Sequence, residues 1–145
     1  MRALIQRVRH ASVEVEGREV ARIGRGLLAF VAVQQGDDPT RADAMAARML
    51  AYRVFADERG RMNLDVRQAG GGVLAVSQFT LAADTSRGLR PSFSSAAEPG
   101  LARDLFDRVV GALRRSHADV GCGIFGADMQ ISLLNDGPVT FLLET

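Results

Sequence analysis

The residue types that most often carry acid–base, nucleophilic or metal chemistry are sparse in this chain, and their spacing excludes the common arrangements. His10, His117 and Cys122 never fall at C-x-x-C or H-E-x-x-H separations, so no metal and no cofactor are expected. Ser77, within "VSQFTL", is not in a G-x-S-x-G elbow, and neither histidine lies beside a stretch that would complete a Ser-His-Asp triad. No Walker sequence offers a cradle for a nucleoside triphosphate. Three stretches remain: "SQFTL" at 77–81, "DTSRGLRPSF" at 84–93 and "NDGPVT" at 135–140. Each has a plain structural reading. Phe79 and Leu81 suit a core, with Thr80 as a good strand former. Loop arginines often have no partner, and Asn, Asp, Gly and Pro are the residues that turns select. The chemical readings are narrower. Thr80 could be a nucleophile, although no general base is readable beside it. Arg87 and Arg90, flanking Gly88, could grip phosphate.

The elements that must position these stretches follow from hydrophobic period. "ALIQRVRHASVEVEG" alternates, with Val13 and Val15 on one face and Glu14 and Glu16 on the other, and "EGRE" turns it into a hairpin with "VARIG". "GLLAFVAVQ" predicts a buried strand. Asp38 as N-cap, Pro39 in the first turn and the spacing of Met45, Met49 and Tyr52 predict a first helix. After the turn "DERG" and the short segment "RMNLDV", "AGGG" reads as a flexible joint before a strand "VLAVSQFTL". On a continuous strand Ser77 and Phe79 would share one face and Gln78 and Thr80 the other, so all four reach one ligand only if the strand bends there. A long loop from Ala82 to about Ala97 is a candidate functional loop. A second helix starts near Pro99, with Leu101, Leu105, Val109 and Leu113 as its apolar stripe and Arg114 and Arg115 at its C-terminal end. Alternating Met129, Ile131 and Leu133 then predict a strand, joined through "NDGPVT" as a hairpin to "VTFLLET". The pattern predicts an α+β fold: one domain over residues 1–145, with a curved, mostly antiparallel, barrel-like sheet and two main helices packed outside.

Composition bounds the setting. A chain of 145 residues buries about 68–70% of its unfolded surface around a single core. The run "LLAFVAV" is far short of the roughly 20 apolar residues that span a bilayer, so no membrane partner is expected. The opening "MRALIQRVRH" lacks the apolar centre of a secretory signal, and a single cysteine agrees with a reducing compartment, so a cytoplasmic protein is expected. All 18 basic residues are arginine, yet the net charge is only +1, so any nucleic acid must be held by a local patch.

In order along the chain, "QRV", "GLL", "RMN", "SQFTL", "RGLRPSF", "FGADM" and "NDGPVT" resemble the motifs of the D-aminoacyl-tRNA deacylases. Arg61 and Arg87 stand where that family often has lysine, and "GCGIFG" replaces a more threonine-containing segment. The resemblance implies an enzyme that hydrolyses the ester of a D-amino acid on the terminal ribose of tRNA, and also glycine mischarged on tRNA-Ala. It implies aminoacylated tRNA and a second copy of the chain as partners, with no DNA. "SQFTL" would line the 3′-end pocket, with Ser77, Gln78, Phe79 and Thr80 as catalytic-site residues, the backbone amides near Phe79 and the Gln78 side chain foremost among them. Asn135, Gly137, Pro138, Val139 and Thr140 would enter that pocket from the partner subunit with a cis Gly-Pro step, and Arg87 and Arg90 would contact tRNA. The family's usual account gives the tRNA 2′-hydroxyl a part in catalysis. Two other readings stay open: a noncatalytic tRNA-binding or editing-like module, and a related deacylase branch with a trans Gly-Pro step that removes mischarged L-amino acids.

Overall fold

The computed structural model describes residues 1–86 and 88–145. Its longest antiparallel partners frame the rest. Strand β1 (Arg2–Val15) turns at Glu16 and Gly17 into β2 (Arg18–Ile23), and β3 (Gly26–Ala32) returns along its first half. Helix α1 (Pro39–Ala51) follows, capped by the Asp38 carboxylate, which accepts from the Arg41 N–H at 2.8 Å. A small hairpin of β4 (Phe55–Ala56) and β5 (Met62–Leu64) leads to β6 (Gly72–Ser77), helix α2 (Pro99–Ser116), β7 (Val120–Cys122) and β8 (Gln130–Glu144).

The sheet runs β2-β1-β3-β6-β7, with β8 along the other edge of β1. The β1 pairings are antiparallel, whereas β3–β6 and β6–β7 are parallel, a mixture the hairpin pattern did not anticipate. The reason is connectivity: a helix intervenes before β6 and again before β7, and such a crossover returns the chain in the same direction. The sheet curls until β2 packs on β6 and β7, which nearly closes the barrel expected from sequence.

Alternation along β3 and β6 sorts their side chains into two cores. Leu27, Ala29, Val31, Val73 and Ala75 face the helices and meet Met45, Met49, Leu105, Phe106 and Val109. Leu28, Leu74 and Val76 point the other way and pack with Val8, Val13 and Ile23 inside the barrel. In α2 the buried face is Ala102, Leu105, Phe106, Val109, Val110 and Leu113, while Leu101 is exposed, so the expected stripe is displaced by one residue at its start. The glycine run is no flexible joint. A Cβ on Gly26 would overlap the Gly72 carbonyl oxygen, so these glycines permit a close backbone approach where β3 and β6 begin.

The predicted C-terminal hairpin does not form. Residues 130–144 make one strand, and both halves pair antiparallel with β1, from Arg2↔Glu144 to Glu14↔Gln130. "NDGPVT" is a bulge in that strand: Gln6 faces Thr140 and Val8 faces Asn135, so the segment between is extruded without reversing the chain. Apolar runs on both sides of turn-forming residues fit either outcome, and the length of β1 decides for the bulge.

Candidate active site

Strand β6 stops at Ser77. The Gln78 N–H still donates to the Val31 carbonyl at 2.8 Å, but from Phe79 to Ala82 the chain winds into a single 3₁₀ turn, with Leu81 N–H on the Gln78 carbonyl at 3.1 Å. This is the bend that strand alternation required. Ser77, Gln78 and Phe79 line one wall of a cleft of about 510 Å³, together with Phe30 and Val76. The facing wall comes from the start of α2, at Pro99 and Ala102, and from the segment of Phe125, Met129 and Ile131 entering β8. Thr80 lies beyond the lining, exposed, and its hydroxyl accepts a short hydrogen bond from the Gln78 side-chain amide. An amide donor withdraws no proton, so this contact does not activate Thr80 as a nucleophile. At the start of the turn, the N–H groups of Phe79 and Thr80 precede any acceptor within it.

The second motif is held apart from the cleft of its own chain: none of Asn135, Gly137, Pro138, Val139 or Thr140 lines it. The Asn135 side chain closes the bulge from within. Its Oδ1 accepts from the Val139 N–H at 2.7 Å, and its Nδ2 donates to the Val139 carbonyl at 3.2 Å and the Thr140 Oγ1 at 3.1 Å. Gln6 donates to the same Thr140 hydroxyl at 3.1 Å. Arg7 anchors the base, its Nε donating to the Asp136 carbonyl at 2.8 Å and its Nη1 to the Val54 carbonyl at 2.5 Å. Arg9 reaches the Asp136 carboxylate at 3.4 Å. Gly137 has φ 151°, and a Cβ there would stand 2.6 Å from Val139 Cγ2 and 2.9 Å from the Val139 nitrogen, so glycine is required. The Gly137–Pro138 peptide is cis, and both residues are exposed.

Arg87 lies outside the described residues. Arg90 is exposed in a loop that is not shapeless, because Asp84 and Ser92 exchange backbone hydrogen bonds of 2.8 and 3.0 Å. Phe93 emerges from that bridge and packs against Phe79 in a tilted arrangement, ring centroids 5.2 Å apart. The other reactive types are occupied elsewhere. His117 Nε2 meets the Gly71 carbonyl at 2.8 Å, and burial pushes the Cys122 thiol above its ordinary range while it donates to the Gly123 carbonyl. "GCGIFG", 121–126, has the spacing of a dinucleotide-binding turn, yet it leads out of β7 into β8 without opening a helix and so lacks the N-terminal dipole that such a turn needs.

Sequence reasoning missed Phe30, Phe125, Met129 and Ile131 as cleft residues, and Arg7 and Arg9 as anchors of the bulge. The only signal for the anchors was "QRV", which places Gln6 and Arg7 opposite the second motif once β1 and β8 pair. Its role could not be read without that pairing.

The fold is an α+β domain with an apolar cleft at the end of a strand, beside a 3₁₀ turn, and among the described residues no nucleophile–base pair is readable there. Residues 4–144 match the family model described as D-Tyr-tRNA(Tyr) deacylase, and the chain belongs to that family. Proteins called D-aminoacyl-tRNA deacylase from Stutzerimonas stutzeri and Saccharophagus degradans are each 57% identical, covering 100% of both chains and 99% of both chains respectively. A third, from Methylococcus capsulatus, is 59% identical over 99% of this chain and 94% of its own. Among solved structures, c-Myc DNA Unwinding Element Binding Protein is 35% identical, with a TM-score of 0.95 over 100% of this chain and 99% of its own. A probable eukaryotic D-amino acid tRNA deacylase, 15% identical with a TM-score of 0.83 over 98% of this chain and 97% of its own, shares the fold. No helix among the described residues is long and apolar enough to cross a membrane.

Proposed function

We propose that this chain hydrolyses the ester joining a D-amino acid, or glycine, to the terminal ribose of tRNA, and that it does so as a homodimer in which "NDGPVT" of one copy enters the cleft of the other. The observation that carries this reading is the separation of the two motifs. "SQFTL" walls the cleft, whereas the second motif is exposed, fastened at both ends and outside that cleft. A rigid, exposed loop with no site of its own to serve is explained by a site on a second copy. The surface beside it supports the pairing: among the described residues β8 pairs with β1 alone, and it carries exposed Leu133, Leu134, Phe141 and Leu142.

An aminoacyl ester is already activated, so positioning and oxyanion stabilisation can carry the reaction without a strong protein nucleophile. The N–H groups of Phe79 and Thr80 would face the developing oxyanion, Gln78 would orient the ester, and the terminal nucleoside would occupy the apolar wall. The tRNA 2′-hydroxyl would assist the attacking water. Fixed backbone of the donated loop would exclude an L side chain while leaving room for hydrogen, so that D-tyrosyl-tRNA and glycyl-tRNA are cleaved and L-alanyl-tRNA survives. Rejection by about 10⁴-fold requires roughly 5.5 kcal/mol at the transition state, beyond the ~1–3 kcal/mol that a methylene-sized difference in an apolar pocket supplies. The test compares release from these three esters at equal enzyme concentration, alongside sedimentation. Binding without release would assign a noncatalytic module. Cleavage of L-alanyl-tRNA at the glycyl rate would remove the chiral filter, and a fully active monomer would remove the donated loop.

A further inference from the structure

We propose that Phe93, seated on Phe79, is a stacking platform for the unpaired nucleotide that precedes the terminal adenosine of tRNA; this rests on the deacylase reading of the cleft. Phe79 and Phe93 are 59% and 43% exposed, and their rings meet at 5.2 Å with a 51° tilt. Phe79 belongs to the cleft wall, whereas Phe93 lies outside the lining, one ring further from the cleft. An RNA strand whose last nucleoside fills the cleft and which leaves it along the Phe79 wall brings the next base to Phe93.

The platform is held in place rather than left on a loose loop. Ser92 is paired with Asp84, the Phe93 carbonyl accepts from the Ala96 N–H at 3.0 Å, and the Ser95 and Val33 carbonyls accept from Gln35 and Ala97 at 3.0 and 3.1 Å. The same loop carries exposed Arg90. Surfaces that hold single-stranded nucleic acid combine an aromatic face, which every base can stack on, with a cation for the adjoining phosphate.

The experiment compares wild type with Phe93→Ala and Phe93→Trp on two esters, D-tyrosyl-tRNA and D-tyrosyl-adenosine, the second of which lacks the stacked nucleotide. The alanine variant should lower the preference for the tRNA ester about tenfold, within the range of one lost base stack, and tryptophan should restore it. Equal losses on both esters would show that Phe93 only props Phe79, and no loss on either would show that nothing stacks there; both results overturn the proposal. A second readout does not depend on hydrolysis: 2-aminopurine placed before the terminal adenosine of an uncharged acceptor hairpin should be quenched by wild type and not by Phe93→Ala. If wild type cleaves neither ester, the deacylase reading fails, and this fluorescence still decides the platform. Identical quenching by wild type and the alanine variant would overturn it.

Discussion

Replacing Asn135 by alanine tests whether the bulge acts through its rigidity. The side chain makes contacts at 2.7, 3.2 and 3.1 Å that tie the start of the bulge to Val139 and Thr140. Each such hydrogen bond is worth a net ~0.5–1.5 kcal/mol. The contacts share one amide and are partly open to solvent, so their joint loss is about 2 kcal/mol rather than the sum of three full values. Arg7 still anchors Asp136, so the fold should survive while the exposed Gly137 and Pro138 gain freedom. If fixed atoms exclude L substrates, a loosening of about 2 kcal/mol lets L-alanyl-tRNA react up to roughly 30-fold faster relative to glycyl-tRNA. Single-turnover deacylation of the two esters measures that ratio, and hydrogen exchange at Val139 reports whether the loop has loosened. A loop that exchanges faster with an unchanged L-alanyl to glycyl ratio would refute the reasoning, because exclusion would then not depend on holding these atoms still.

Thr80→Ala should retain most of its single-turnover rate, since the hydroxyl has an amide rather than a base as its partner; a fall of about 10⁴-fold would make it the nucleophile. Arg90→Ala should weaken tRNA binding alike for every amino acid carried and reduce the slope of log affinity against log salt by about one, whereas a changed D-to-L preference would show that the loop reads the amino acid. Asp37→Asn leaves the α-ammonium of Met1 buried without its 2.6 Å carboxylate partner, both groups being almost wholly shielded from water. Stability to denaturant should drop by about 3–5 kcal/mol, and a loss below about 1 kcal/mol would show that the pair is solvated in solution.

The sequence made the local elements legible where one residue type dominates the outcome. Asp38 and Pro39 set the start of α1, Glu16 and Gly17 the first turn, and the period of Val13 and Val15 the face of β1. The 3₁₀ turn that brings Ser77, Gln78 and Phe79 to one cleft while leaving Thr80 outside its lining has no signal in the alternation of the strand before it. What stayed hidden depends on partners distant in sequence. Whether "NDGPVT" reverses the chain is decided by β1, more than a hundred positions away, which continues far enough to pair both halves of β8. The parallel ladders depend on helices returning the chain across the sheet. Phe125 and Met129 look like any apolar residues until α2 brings the opposite wall of the cleft against β6.

The continuity of β8 makes it a ruler. At Ile131 it forms part of a cleft wall, at Asn135–Thr140 it presents the bulge, and at Glu144 it pairs with the first strand residue of the chain. The distance from the cleft a copy owns to the loop it presents outward is therefore fixed by a residue count within one strand. Deleting one residue between Thr140 and Leu143, beyond the bulge, would turn the following side chains to the opposite face and carry Leu143 out of the core. Insertions and deletions should accordingly disrupt folding within the paired stretches Gln130–Asn135 and Thr140–Glu144, and be better borne within the extruded segment between them.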